Sequence, residues 1–330
     1  DLIIAAGTVR LVNSLARGDV QFTGSGTLDL ATNAIYLTID ALSGTAGTIA
    51  EGAQTLTVNQ SSDTSFAGIL TDTDGAATTV NANLTKSGAG SLTLTGASTF
   101  SGTTTVSGGT LVIGAAGVLA DISDITLQSG ATLTVNQAET IDVLTLTNGT
   151  VNGSATLTTN AQSLTQGTIA AAVSATGTTA SINGGGTVTL SGSNTYTGTA
   201  ISVTSGSTLT LANSNALGGA ASTTVASGGM ITLQGGISIS ETLTVAGTGV
   251  ASGGALRSTS GNNQISNLVL TSNSVLRSDA GTLTIAGTTS ATTDSAINLQ
   301  GDGNVSFTGS ITDGTTPTVT RSEEHTSELQ

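Results

Sequence analysis

Three pairs of carboxylates are the residues best suited to chemistry, because the members of each pair are only two or three positions apart. Two acidic side chains on one lateral face of a fold can share the general acid and general base roles of glycan cleavage. Each pair, however, lies between strand-like segments, where an acidic side chain ordinarily accepts hydrogen bonds from nearby backbone and shapes a turn. We therefore predict structural roles, with a polysaccharide-cleaving enzyme as the alternative. The pairs are Asp72 and Asp74, Asp121 and Asp124, and Glu139 and Asp142.

Other catalytic chemistries lack the residues that they need. The chain has no Cys, and its one His, His325, stands in an anomalous C-terminal segment. Nucleophilic triads require such a base, and zinc requires Cys or His clusters. A Ser–Lys pair would have to use Lys86, the only Lys, which lies inside a repeated segment. The sequence therefore predicts no catalytic residue, no cofactor and no metal ligand, and hence a protein that is not an enzyme.

Two short stretches resemble fragments of calcium-binding loops. Residues 72–75 read Asp-Thr-Asp-Gly, and residues 301–304 read Gly-Asp-Gly-Asn. The first lacks the later ligands and the terminal Glu of an EF-hand. The second occurs once, whereas calcium-binding β-rolls need tandem copies. Incidental weak calcium binding is the only metal chemistry that the sequence leaves open.

The charge balance excludes several classes of partner. Acidic residues outnumber basic ones 20 to 6, which gives a net charge of −14. Nucleic acid binding needs clustered Lys and Arg, and so does attraction to an anionic membrane surface. Here the basic residues are scattered singly along the chain. The absence of Cys, together with 45 Gly, favours export across a bacterial envelope, where an early disulfide would block threading.

The last ten residues differ in composition from everything before them. Residues 321–330 read RSEEHTSELQ, which resembles the translation of a sequencing-library adapter. We expect this tail to be non-native and treat residues 1–320 as one solenoid domain.

A short sequence motif typical of a strand, (S/T)-L-x-(L/V/I), recurs along the chain. Apolar residues alternate with Thr and Ser within each copy, which indicates half-buried strands bounded by Gly, Asn or Ser. Successive copies are about 19 to 22 residues apart, a period that favours one repeat per coil of a solenoid over the hairpins of a β-sandwich. We expect inward ladders of Leu92, Leu111 and Leu133, of Val188, Leu209 and Ile231, and of Leu283 and Val305.

A longer repeat carries a family resemblance. Six positions of residues 84–113, from Gly90 to Gly102, match residues 186–211 at one constant offset, and a weaker third copy begins at Gly303. The pattern resembles the autotransporter-associated β-strand repeat of bacterial autotransporter passengers. The resemblance implies an all-β, single-stranded, right-handed parallel β-helix of about 14 coils, forming a rod on the order of 70 Å at about 4.8 Å per coil.

The resemblance also implies a location and a purpose. It points to an extracellular or cell-surface protein of type V secretion, attached to the outer membrane or released from it. The C-terminal translocator β-barrel of such proteins is absent from this sequence. We expect a non-catalytic stalk or display scaffold for adhesion or cell–cell contact, with a host or bacterial surface ligand. Lateral self-association through exposed ladders is an alternative partner.

Two residue types have predicted structural roles. Five of the six aromatic residues precede a Gly by two positions, which favours core or corner filling over an exposed sugar-stacking surface. Only Tyr36 departs from this pattern. Asn59 and Asn136 both follow the word TLTV, so we expect them to stack in an Asn ladder at a turn. The five aromatic residues are Phe22, Phe66, Phe100, Tyr196 and Phe307.

Overall fold

The structure is a computed structural model that describes residues 1–13, 18–32, 34–72, 81–292, 295–312 and 318–321. The predicted fold class is confirmed, because parallel strands are stacked into a β-solenoid of about 14 turns. Apart from one 3-10 turn at Val250–Ser252, the regular secondary structure of the described residues consists of strands. The chain divides into two compact units, residues 1–162 with 170–172, and residues 163–169 with 173–330.

The strands of the first half of the chain are short, mostly three to five residues long. In chain order they are β1 Leu2–Ile4, β2 Thr8–Arg10, β3 Asp19–Phe22, β4 Thr27–Asp29, β5 Leu37–Ile39, β6 Ala41–Gly44, β7 Thr48–Ala50, β8 Thr55–Asn59, β9 Thr64–Phe66, β10 Ile69–Thr71, β11 Asn83–Ser87, β12 Ser91–Leu94, β13 Thr104–Val106, β14 Thr110–Ile113, β15 Ile125–Leu127, β16 Ala131–Val135, β17 Glu139–Leu146, β18 Gly149–Asn152 and β19 Thr156–Leu164.

The second half continues with the same kind of strand and includes two long ones, β29 and β31. The strands are β20 Gly167–Ile169, β21 Ala172–Thr176, β22 Thr179–Ile182, β23 Thr187–Leu190, β24 Thr195–Thr197, β25 Ala200–Val203, β26 Thr208–Leu211, β27 Ser222–Val225, β28 Met230–Gln234, β29 Ser238–Gly247, β30 Leu256–Ser260, β31 Asn263–Ser278, β32 Thr282–Ile285, β33 Thr289–Ala291, β34 Ile297–Gln300, β35 Asn304–Phe307, β36 Ile311–Thr312 and β37 Val319–Arg321.

Within the first unit, the parallel strands form three stacks. The first stack contains β1, β3, β6, β9, β12, β14, β16 and β18. The second contains β5, β8, β11, β13, β15 and the later part of β17. The third contains β2, β4, β7 and β10. Each strand bonds to the equivalent strand about one coil away, so backbone hydrogen bonds join successive coils.

The second unit repeats this arrangement. Its first stack runs through β20, β23, β26, β28, β30, the end of β31, β34 and β37. Its second stack runs through β22, β25, β27, the later part of β29, the middle of β31, β33 and β36. A third stack runs through the start of β29, the start of β31, β32 and β35, so the long strand β31 contributes to three stacks in succession.

The core of each unit consists of inward aliphatic rows, and the three predicted ladders are confirmed. Leu92, Leu111 and Leu133 are direct neighbours in the first unit, and all are fully buried. In the second unit the same holds for Val188, Leu209 and Ile231, and Leu283 lies opposite Val305. Because side chains alternate across a strand, the intervening Thr residues face outward. In the second stack they form one half-buried row of Thr38, Thr57, Thr85, Thr105, Thr126 and Thr145.

Aromatic residues fill the wider parts of this core. Phe22, Phe66, Phe100 and Tyr196 are fully buried, as predicted, and Phe307 is half-buried. The rings of Phe22 and Phe66 lie 5.4 Å apart between centroids, at a tilted angle of 49°. The residue between them in the stack is Gly44, with φ of +147°. A Cβ there would lie 2.7 Å from Cβ of Phe22, so the aromatic pair requires glycine at this position.

The predicted Asn ladder is wrong. Asn59 ends a strand of the second stack and lies opposite Ser87, whose hydroxyl donates to its side-chain oxygen at 3.2 Å. Asn136 follows β16, which belongs to the first stack. The two identical TLTV words therefore occupy different faces of the coil, and their Asn residues do not stack.

Candidate functional site

Glu139 is a buried clamp between coils. Its carboxylate accepts hydrogen bonds from the backbone N–H of Val118 at 2.9 Å and of Leu119 at 3.0 Å, about one coil earlier in the chain. The side chain is only 3% exposed. Burial raises its pKa above the usual range, the charge of Asp121 adds to this, and the two amide bonds offset part of it. The enclosed carboxyl thus binds the backbone of the preceding coil.

The other members of the two central pairs also bind neighbouring coils. Asp124 accepts from the backbone N–H of Val143 at 3.1 Å, and Asp142 accepts from the side-chain amide of Asn160 at 2.9 Å. Asp121 is exposed and influences Glu139 through its charge. Asp121 thus acts on Glu139 through its charge, whereas Asp124, Glu139 and Asp142 accept hydrogen bonds from neighbouring coils. Glu139 and Asp142 belong to β17, so their predicted position at a turn is wrong, and all three side chains bond to a neighbouring coil rather than to their own turn.

The remaining pair is only partly within the described residues. Asp72 accepts from the backbone N–H of Ser101 at 3.1 Å and from its hydroxyl at 2.7 Å. Asp74 lies outside the described residues, as does most of the predicted loop 72–75. Within the second predicted calcium loop, Asp302 is exposed. Among the residues described, no three His, Cys, Asp or Glu side chains come together as a metal site would require.

A buried acid that the sequence analysis did not single out lies beside Asp72. Glu51 is fully buried, and neither oxygen of its carboxyl has a hydrogen-bond partner among the described residues. Burial raises its pKa well above the usual range; the nearby Leu56 amide offsets part of this, and the charge of Asp72 adds to it. Burial of a carboxyl with so few donors disfavours its charged form. Its position after β7, at a turn, gave no sequence signal that distinguished it from an exposed turn residue.

Lys86 occupies an inward position of the second stack, between Val58 and Val106, and is fully buried. Its ammonium donates to the carbonyls of Ser87 at 2.8 Å, Gly88 at 3.1 Å and Gly108 at 3.2 Å. Burial lowers its pKa to about 8, and the charge of Asp63 opposes this shift. All three N–H donors of the ammonium have acceptors, so Lys86 ties two turns of adjacent coils together.

An arginine–aspartate cluster, made of Arg257, Arg277 and Asp279, lies on the outer face of the second unit. Arg257 and Arg277 are direct neighbours in the stack. Their Nε atoms each donate to a different oxygen of Asp279, both at 2.7 Å. Partial burial raises the pKa of Asp279, but the hydrogen bonds and charges of the two arginines outweigh it, so the pKa lies below its usual range. The sequence signal was the triplet Leu-Arg-Ser at 256–258 and again at 276–278, one coil apart.

Together these observations define a class of protein. The chain is a β-solenoid with an aliphatic interior. Of the four buried charged residues in the part that the structure describes, two, Lys86 and Glu139, bind backbone of an adjacent coil. In the described residues, no helix has the length and apolar character needed to cross a membrane.

The comparison with protein families agrees with this class. Residues 84–113 and 183–207 match the Passenger-associated-transport-repeat family. These matches confirm the two long repeat copies that the sequence predicted. No curated protein matches the chain, and no solved structure matches it. The repeats and the β-solenoid support an autotransporter passenger with repeats, and the repeat family implies secretion to the cell surface.

Proposed function

We propose that this passenger is a non-catalytic scaffold that presents adhesive surfaces at the outside of a bacterial cell. The observation that carries the proposal is that carboxylates considered as catalytic candidates accept hydrogen bonds from neighbouring coils. Glu139, Asp124 and Asp72 each bind backbone N–H groups of an adjacent coil, so they hold the solenoid together. A glycan-cleaving pair would instead need two carboxyl groups that face a shared, accessible substrate position.

The surface of the solenoid suits contact with other molecules. Each strand exposes alternate residues, and in the second stack these form the regular row of six threonines from Thr38 to Thr145. Hydroxyl and methyl groups repeat there at the spacing of one coil, about 4.8 Å. We expect the chain to remain attached to the cell surface or to be released from it, and in either case to act through its side faces.

The proposal is tested with the purified chain on beads and in solution. Adhesion is measured as the number of beads that bind to bacterial or host cells, relative to beads coated with an unrelated β-solenoid. In parallel, a panel of polysaccharides is incubated with the chain, and new reducing ends or unsaturated products are measured. Adhesion without cleavage supports the proposal.

Two results would overturn it. Cleavage that disappears in folded Glu139→Gln or Asp121→Asn variants would assign the chain to glycan-degrading enzymes. Bead binding no higher than that of the unrelated solenoid, with every cell type tested, would remove adhesion as the function. Attraction between coated beads themselves would assign the contact to self-association of the chain.

A further inference from the structure

The arginine–aspartate cluster has more positive than negative charge in a chain that is otherwise acidic. Two guanidinium groups share one carboxylate there, which leaves one net positive charge, whereas the whole chain carries −14. The comparable pair in the first unit, Arg10 with Asp29 at 2.8 Å, is balanced one to one. Unlike that pair, the three residues Arg257, Arg277 and Asp279 do not balance in charge among themselves.

Arg257 has N–H donors that Asp279 does not use. A guanidinium has five N–H donors in a planar fork. Arg257 uses its Nε for Asp279, and its other nitrogens have no hydrogen-bond partner among the described residues. The side chains of Arg257 and Arg277 are 32% and 25% exposed, so solvent and ligands reach them while much of each stem is packed.

Neighbouring groups hold the arginines in place and extend the polar surface. The turn at residues 249–254 lies against them: the Cβ position of Gly253 is 3.4 Å from Nη1 of Arg257, and that of Gly254 is 3.0 Å from Cβ of Arg277. Gln300 follows Arg277 in the same outward row and is half-buried. A guanidinium already fixed by Asp279 loses little conformational freedom when it binds a second anion.

We infer that the Arg257–Arg277 face binds the carboxylate groups of an acidic polysaccharide. Guanidinium and carboxylate match in geometry and charge, and the amide of Gln300 can bond sugar hydroxyls beside them. The acidity of the rest of the chain disfavours ligands with dense negative charge, such as nucleic acid, and favours a polymer with about one carboxylate per sugar. This inference rests on the proposed adhesive function and names the class of ligand.

Binding is tested with polygalacturonic acid and, as a matched neutral probe, its methyl-esterified form. The purified chain should bind the acidic polymer and not the ester, and binding should weaken from about 50 mM to about 500 mM NaCl, because salt screens charges. Arg257→Gln and Arg277→Gln should each reduce affinity at least about tenfold. Arg10→Gln, which removes an exposed cation from the balanced pair, should change it less than about twofold. Circular dichroism checks that each variant is folded.

Asp279→Asn separates ligand binding from a purely structural ion pair. Asn keeps one carbonyl acceptor that positions an arginine but lacks the competing negative charge, so affinity for polygalacturonic acid should rise if the cluster binds carboxylates. If the cluster only stabilises the stack, this variant should lower the denaturation midpoint and leave the polymer unbound. Equal binding of the acid and ester forms, or equal losses in the Arg10 and Arg257 variants, would overturn the inference. Cell adhesion that persists in Arg257→Gln would then leave the adhesive function intact with another ligand.

Discussion

Glu139 gives the sharpest test of how the coils are held together. Replacing it with Ala removes two hydrogen bonds from a buried carboxylate, at 2.9 and 3.0 Å, and leaves the amides of Val118 and Leu119 unpaired. A hydrogen bond to a charged group contributes about 1.5–3 kcal/mol, and each unsatisfied buried amide costs about 1–3 kcal/mol. Because these effects overlap and removing the carboxylate also relieves its desolvation, we expect Glu139→Ala to lower the free energy of unfolding by about 3–5 kcal/mol.

The measurement is urea denaturation followed by circular dichroism, with Asp142→Ala as the matched control. Asp142 is three residues away and also bonds to a neighbouring coil, but its contact with Asn160 is exposed. An exposed polar contact contributes little, so the control should cost less than about 1 kcal/mol. Glu139→Gln keeps one carbonyl acceptor and should fall between the two. If Glu139→Ala and Asp142→Ala lower the free energy of unfolding equally, burial of the Glu139 carboxyl does not determine its contribution to stability.

Four further substitutions test other parts of the structure. Lys86→Met should lower the free energy of unfolding at pH 7 by roughly 1–3 kcal/mol, because three carbonyls lose their donor. In the parent chain, the free energy of unfolding should also rise as pH increases from about 8 toward 10.5, because the unfolded chain binds more protons than the folded one in that range. Lys86→Met should abolish that rise. A parent profile that stays flat would contradict the burial of Lys86. Burial raises the pKa of Glu51, so its contribution to stability is complete below the ordinary pKa of 4.5 and is lost as pH rises through the pKa of the folded state. Glu51→Gln should therefore be more stable than the parent chain at high pH. A stability profile against pH that is the same in both proteins would refute this. Leu111→Ala should cost about 2–5 kcal/mol in the same denaturation assay, whereas Thr105→Ala, on an outward row, should cost less than about 1 kcal/mol. Gly44→Ala should destabilise by at least about 1–3 kcal/mol because its Cβ would press on Phe22, and tolerance of Ala would show that the aromatic pair can repack.

The buried charges show the limit of sequence patterns. At the constant offset that relates the two repeat copies, the position equivalent to Lys86 is Ile182, which lies in the corresponding inward row of the second unit. The alternation of side chains places both residues inward, but only the adjacent turns decide whether carbonyl acceptors are available for an ammonium. The sequence therefore identified Lys86 only as the one Lys that a Ser–Lys pair could use, whereas its contacts tie together two turns of the backbone.

The aliphatic ladders, the aromatic fillers and the parallel β-helix could be predicted because they depend on local rules. Alternation within a strand fixes which residues face inward, and a period near the length of one coil places equivalent residues on top of each other. Leu92, Leu111 and Leu133 follow these rules directly. The pairing of Arg257 with Arg277 follows from the same period, because the triplet Leu-Arg-Ser recurs one coil later in the chain.

Only the tertiary structure decided which strand motif stacks on which other strand motif. From Leu56 to Leu84 the stack advances by 28 residues, but from Leu84 to Thr104 it advances by only 20. The turns set these lengths, so the two TLTV words occupy different faces and Asn59 and Asn136 do not meet. The sequence by itself determined the solenoid, its repeats and its inward rows. The partners of Glu139, the isolation of Glu51 and the convergence of two arginines on Asp279 depend on contacts between residues about one coil apart, and coil length fixes those contacts.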